Sequence, residues 1–292
     1  NSFHELSDDG NSRYPLGSGY YRDTFLVSDL LGDFALKRQN MNRDWNRNRL
    51  QKVMTEAVSM ERLTASPYIS YTYGHCGFSV AVELCPVDIA KRILPHTNFQ
   101  FDRGMVDQAE LDRKSDVYPL NNFTDIEKLD VVLSMTSSLA ETHGFDTGPV
   151  ATRDIAVNQW LQTDDNRLVL NDFDNALFLA YNASSGSYRP FFSAHVGSLK
   201  APEEMKPGYL TEAADIWKVG GLIFSVLTGL LPYYNELHHA KAAGDDASTE
   251  IDDKIEAGIP PFLDPRYKTR SFIEGRLVNI MEQCYRKNPE DR

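Results

Sequence analysis

Four ionisable residues in this chain stand at positions where they could do chemistry together. Asp154, in Thr152-Arg153-Asp154-Ile155, and Asp172, in Asn171-Asp172-Phe173-Asp174, lie on either side of a strand pair read from Trp160-Leu161 and Leu168-Val169-Leu170. Two loop carboxylates beside short strands suit a general base and a magnesium ligand. Lys37 closes the apolar strand Phe34-Ala35-Leu36-Lys37, and Glu56 follows on a stretch with helical periodicity. A lysine held by such a glutamate can clamp the phosphates of a nucleotide. Leu16-Gly17-Ser18-Gly19 lies between two strand candidates, where Gly17 and Gly19 let backbone amides approach a phosphate closely. Val82-Glu83-Leu84-Cys85-Pro86 ends a further strand, and the backbone of Glu83 and Cys85 there could bond an adenine edge.

Those residues need a scaffold, and the pattern supplies one in two parts. Residues 1–85 read as short strands around one helix. The strand candidates are Tyr14 to Leu16, Thr24 to Ser28, Phe34 to Lys37, Ile69 to Tyr73 and Ser79 to Leu84, with Leu31-Gly32-Asp33 as a hairpin turn. Leu50, Val53, Met54, Ala57, Met60 and Leu63 fall at helical spacing, and Ser66-Pro67 closes that helix. Residues 86–292 form the second part. Its first stretch, 88–123, has weak periodicity and reads as a peripheral insertion. Thr124-Asp125-Ile126-Glu127 is a capping box for a helix whose apolar stripe is Ile126, Leu129, Val132, Met135 and Leu139. Ala213 to Leu231 is nearly all apolar, and Lys218 interrupts its run from Ile216; sixteen residues suit a buried core helix better than a membrane span. A strand-rich part before a helical one leaves a cleft near Pro86, and clefts between lobes are the default ligand sites.

Composition is that of an ordinary globular chain: 292 residues, 41% hydrophobic and 25% charged. The net charge of −12 argues against nucleic-acid phosphates as a partner. Cys76, Cys85 and Cys284 form no CxxC pair, which argues against a zinc site; Cys76 with Cys85 is the pairing left open in an oxidising compartment.

Further along, Ala201-Pro202-Glu203, Ala214-Asp215-Ile216-Trp217 and the terminal Arg292 complete an ordered series. In sequence these segments resemble the protein-kinase motifs: glycine-rich loop, strand lysine, helix glutamate, H-R-D, D-F-G, A-P-E, D-x-W and a closing arginine. One such match is cheap, whereas eight in order and at compatible spacing are not. The resemblance implies an α+β, bilobal fold, with a small antiparallel-sheet lobe and a larger helical lobe. It implies ATP with Mg2+ or Mn2+, a Lys37–Glu56 ion pair, Asp154 as acceptor of the substrate proton, and Asp172 on the metal. Glu203 with Arg292, and Asp215, would be structural. The chain departs from the family pattern at several positions. Arg22 replaces the third loop glycine, Thr152 the histidine of H-R-D, and Ala156 the catalytic-loop lysine. Gln159 replaces the metal-binding asparagine, and Asp174 the glycine of D-F-G. Asp174 could compensate for Gln159 as a metal ligand, and irregular coordination of that kind favours manganese.

Three functions compete on these residues. The first is phosphoryl transfer to a protein hydroxyl, serine or threonine rather than tyrosine. The second is a pseudokinase that binds nucleotide or scaffolds a protein partner, and the third is a small-molecule kinase of related fold. Tyr188, Ser193 and Ser198 are hydroxyls in the segment between Asp172 and Glu203 where a regulatory phosphate could sit. The chain reads as a domain cut from a longer protein. Its location is open between secretory lumen and cytoplasm; the sequons Asn122-Phe123-Thr124 and Asn182-Ala183-Ser184 speak for the lumen.

Overall fold

The computed structural model describes residues 14–18, 22–30, 32–40, 46–95, 119–145, 148–188, 190–191, 200–205, 208–209, 211–237 and 248–292. The first part is a five-stranded antiparallel sheet built from β1 (Tyr14–Ser18), β2 (Arg22–Asp29), β3 (Gly32–Gln39), β4 (Thr72–Cys76) and β5 (Ser79–Glu83). The strand order is β1-β2-β3-β5-β4. Alternation along the strands decides what each face meets. Ala35, Val80 and Val82 join the main core, whereas Val27, Leu36 and Ala81 form a small cluster of their own, closed by Phe34. The helix α1 (Arg47–Leu63) starts where the Asn46 side chain accepts from the Arg49 amide at 2.9 Å. It buries Val53, Ala57, Met60 and Leu63, while Leu50 and Met54 stay partly exposed.

Two boundaries differ from the sequence expectation. Gly32 and Asp33 begin β3 and pair with Asp29 and Ser28, so the hairpin turns one step earlier than Leu31-Gly32-Asp33 suggested. Ile69 lies outside β4 and makes a parallel bridge with Leu170, while Ser70 and Tyr68 share backbone hydrogen bonds of 3.0 and 2.9 Å with Leu170. The apolar residues there were attracted to the other part of the molecule instead of to the sheet.

The second part is helical: α2 (Ile89–Ile93), α3 (Asp125–His143), α4 (Ala213–Thr228), α5 (Ser248–Ala257), α6 (Tyr267–Arg270) and α7 (Phe272–Cys284). The capping box of α3 is formed in both directions between Thr124 and Glu127. Its buried stripe is rotated from the one read in the sequence. Ile126 and Leu129 are exposed, and Lys128 is buried in an ion pair with Glu274 of α7, which also binds Arg270. Charge pairing thus turns the helix away from its simplest apolar face.

The stretch 88–123 is not peripheral at its ends. Ile89, Ala90, Ile93, Leu94 and Phe123 are buried in the main core, where α2 packs against the strand β8 (Trp160–Gln162), itself paired with β6 (Val87–Asp88). Leu120 is buried in a separate cluster with Tyr234. Residues 96–118, with Gly19, Ser193 and Ser198, lie outside the described residues. Both sequon asparagines, Asn122 and Asn182, are exposed, and the three cysteines are free thiols.

Helix α4 is the axis of this part, buried continuously from Trp217 to Thr228. Gly220 permits its close packing. A Cβ on Gly220 would stand 2.8 Å from the Tyr285 ring, which itself meets Trp217 edge-on at 4.8 Å between centroids. No described helix is long and apolar enough to cross a membrane. Gly220→Ala should therefore cost about 1–3 kcal/mol of unfolding free energy through overpacking against Tyr285. Denaturant titration measures it, and a variant as stable as the parent would show that the ring yields without strain.

Candidate functional site

Short strands bring the chemical segments side by side. The strand β7 (Val150–Ala151) pairs with β10 (Leu177–Phe178), and β8 pairs with β9 (Leu168–Leu170). Thr152-Arg153-Asp154 follows β7 directly, and Asn171 to Asn175 leads from β9 toward β10, the partner of β7, so the two small sheets bring both loops together. The contact is made through Asn175, whose Nδ2 donates to Asp154 Oδ2 at 3.0 Å. Lys52 of α1 donates in turn to Asn175 Oδ1 at 2.6 Å.

On the sheet side, Lys37 donates to Glu56 Oε1 at 2.9 Å and to the Asn171 carbonyl at 2.8 Å. Glu56 has no exposed surface, and its other oxygen, Oε2, is bonded by Arg22. Burial pushes the Lys37 amine down to about 8, with Asp172 opposing the shift and Arg22 adding to it. Asp172 and Asp174 are half-buried, and the Asp174 amide donates to Asp172 Oδ1 at 3.3 Å. Burial, and then the neighbouring Asp172 charge, hold Asp174 above the usual carboxylate range, against Lys52 and Arg22. Gln159 is buried at the end of a short 3-10 turn.

Other expected residues are placed differently. Leu16 is half exposed and sits where the β1–β2 register shifts between Pro15 and Gly17. Gly17 pairs with Thr24 in open space. The Glu83 amide, expected to face an adenine, is committed to the Tyr71 carbonyl at 2.9 Å because β5 is an interior strand. Its carboxylate accepts from the Tyr71 amide and from Arg167. The Glu83 carbonyl lies 3.8 Å from the thiol of Cys85, which follows two residues past the strand. The Cys85 thiol is pushed up to about 12 by burial and by Glu83, so it stays protonated and is no nucleophile.

Behind the loops lies a charged network that spacing alone did not reveal. Asp215 of α4 is fully buried and accepts from the Thr152 amide at 2.9 Å, the Arg153 amide at 3.3 Å and His143 Nε2 at 3.2 Å. Burial alone would raise Asp215, but His143, Lys218 and Thr152 outweigh it and hold the carboxyl below its ordinary range. Lys218 donates to the Arg153 carbonyl at 2.8 Å and to Glu204 at 3.1 Å. Arg153 has φ 64, a strained conformation for a non-glycine residue, and it persists because its amide and carbonyl are both held. The closing arginine clamps Glu203 through two bonds of 2.7 Å and reaches the Ala213 carbonyl at 2.8 Å.

Comparison with known proteins agrees with this arrangement. The chain is 24% identical over 172 residues to the probable serine/threonine-protein kinase roco5 of Dictyostelium discoideum, covering 56% of this chain and 6% of that protein. It is 25% identical over 171 residues to calmodulin-binding receptor-like cytoplasmic kinase 3 of Arabidopsis thaliana, covering 57% and 32%. It is 25% identical over 164 residues to MAP kinase-activated protein kinase 2 of Drosophila melanogaster, covering 54% and 41%. This chain is a divergent protein-kinase-like domain. The matched stretch is less than half the length of each relative, and no protein-family model matches the chain.

Within this kinase-like domain, Asp215 is the residue whose loss the loop Thr152-Arg153-Asp154 should feel most. Asp215→Ala strands donors from Thr152, Arg153 and His143 and should cost about 3–5 kcal/mol. Asp215→Asn keeps an acceptor oxygen and should cost less. Guanidinium titration of both variants checks the order, and an alanine variant within about 0.5 kcal/mol of the parent, the range usual for surface changes, would contradict it.

Proposed function

We propose that this domain binds ATP in the cleft between sheet and helices and transfers its γ-phosphate to a serine or threonine hydroxyl of a protein. The observation that carries the reading is the Lys37–Glu56 ion pair, fixed at 2.9 Å with the same ammonium on the Asn171 carbonyl next to Asp172. The relatives are kinases by name, one of them a probable serine/threonine-protein kinase, which supports the same reaction class.

The side chains present fit both a polyphosphate and a metal ion. Arg22 Nη2 is buried without a hydrogen-bond partner among the described residues, a donor an anion would satisfy. Asp172 and Asp174 are neighbouring carboxylates, and the Gln159 amide oxygen would be a third hard donor. No cluster of three His, Cys, Asp or Glu converges among the described residues, so phosphate oxygens and water would complete the coordination, as suits magnesium. Bound Mg2+ or Mn2+ would neutralise charge on the transferring phosphate.

The roles of the protein groups follow from their chemistry. Lys37 holds phosphate oxygens while Glu56 fixes the amine's position. Gly17 and Gly19 let the β1–β2 loop lie close over the phosphates. The backbone at Cys85 takes the adenine edge. Asp154, exposed to an incoming hydroxyl, takes its proton, and Asn175 sets the carboxylate's orientation.

A second reading is a nucleotide-binding module without transfer. Asn175 occupies one oxygen of Asp154, which leaves only the other to receive a proton. Two variants separate the readings. Lys37→Met should abolish the ATP-induced melting shift, and a full shift would remove the clamp from the mechanism. Asp154→Ala should keep that shift while radiolabel transfer to a protein falls at least about a hundredfold, the scale of a lost general base. Parent protein that shifts with ATP and transfers nothing to any substrate would select the second reading.

A further inference from the structure

Arg22 stands where a glycine was expected at the mouth of the β1–β2 loop, and its side chain is turned inward. In the β2–β3 ladder Arg22 faces Gln39 and Thr24 faces Lys37, so all four side chains share one face of the sheet. Arg22 and Lys37 are diagonal neighbours on that face. Two cations so close repel, and Glu56 binds one on each carboxylate oxygen. The guanidinium spends Nη1 on Glu56, and its Nη2, buried, finds no partner among the described residues. Lys37 has used two of its three donors. A guanidinium nitrogen removed from water and left unpaired is costly unless something anionic arrives.

The surrounding charges explain why the arginine is tolerated there. Arg22, Lys52 and Asp174 line one small recess between β2, α1 and the loop after β9. Burial lowers the guanidinium's hold on its proton, and Asp172 and Asp174 oppose that only in part. Around the buried part of the cleft, Arg22, Lys37, Arg49 and Lys52 therefore stand against Glu56, Asp172 and Asp174. The carboxylate pair that would otherwise require a divalent ion is already faced by a resident cation.

We propose that Arg22 is a built-in cation of the phosphate site, gripping phosphate oxygens of a nucleoside triphosphate together with Lys37, so that the cleft binds the nucleotide without a divalent metal. A planar fork of N–H donors matches phosphate geometry, which a lone ammonium does not. The inference rests on the nucleotide reading above and adds to it the assignment of Arg22 and the independence from metal.

Calorimetric titration of ATP into the purified domain, in excess Mg2+ and in EDTA, tests it. The parent should bind ATP in EDTA within about tenfold of its affinity with Mg2+. Arg22→Gln, which keeps bulk and loses charge, and Arg22→Gly should each weaken binding in EDTA by about tenfold or more, the scale of a charged hydrogen bond. Melting curves without ligand identify any variant that fails to fold, and Arg22→Lys, retaining charge without the fork, should fall between parent and Arg22→Gln. A parent that binds ATP only with Mg2+ overturns the proposal and leaves the nucleotide reading intact. Equal or tighter binding by Arg22→Gly or Arg22→Gln in EDTA overturns it too, and makes Arg22 a plug over the site. No ATP binding by parent or variants under either condition overturns both readings together.

Discussion

A carboxylate with no exposed surface must keep its charge company, and Glu56 organises the sheet-side half of the molecule on that constraint. Its two oxygens take Lys37 from β3 and Arg22 from β2, and Lys37 passes the connection on to the Asn171 carbonyl. One buried anion thereby fixes the docking of α1 on the sheet and the approach of the sheet to the loop after β9. Removing a single partner from such a group leaves an uncompensated charge inside the protein, which costs far more than a surface ion pair gains. The arrangement holds only while all three elements stay in place.

Asp215 plays the corresponding part on the helical side. It reaches the loop before β8 from inside the most buried helix of the chain, and it holds backbone amides where Glu56 holds side chains. The unfavourable φ of Arg153 is the visible consequence, because the residue adopts a conformation its own side chain disfavours. His143 supplies an imidazole to this carboxylate from the end of α3, on a chain where Thr152 stands at the H-R-D histidine position. Thr152 contributes its amide at 2.9 Å and its hydroxyl at 3.3 Å to the same acceptor. The loss of one imidazole from the loop is thus met by another that arrives from a different element.

Sequence patterning captured the parts of this structure that depend on local rules. The capping box at Thr124, the helix carrying Glu56 and the strand pair around Leu168 follow from hydrogen-bond satisfaction and periodicity within a short window. Non-local pairing was what escaped it. Lys128 reads as a polar residue on a helix surface, yet Glu274, far along the chain, draws it inside and rotates the apolar stripe. Ile69 reads as a strand residue until Leu170 competes for its backbone. The Glu83 amide looked available because nothing nearby in sequence shows that β4 will lie beyond β5 and use it. Arg22 could be seen to replace a glycine, but only the strand register shows that its side chain turns toward Glu56. Asn175 gave no signal at all, since one amide beside two aspartates is common in a polar loop.

Helix α1 carries two of the contacts on which the site rests, and they lie one turn apart on the same side. Glu56 holds the cations of the sheet, while Lys52 holds Asn175 and, through it, Asp154. The residue assigned to the phosphates and the residue assigned to the acceptor hydroxyl are therefore positioned from one rigid element. A helix cannot shift one of these side chains along its axis and leave the other in place. Displacement of α1 would strain the Lys37–Glu56 pair and the Asp154 orientation together, so the geometry proposed to bind a nucleotide is also the geometry proposed to aim the base. Few side chains are needed to enforce this coupling, because the intervening links are short hydrogen bonds between groups that have little room to re-pair.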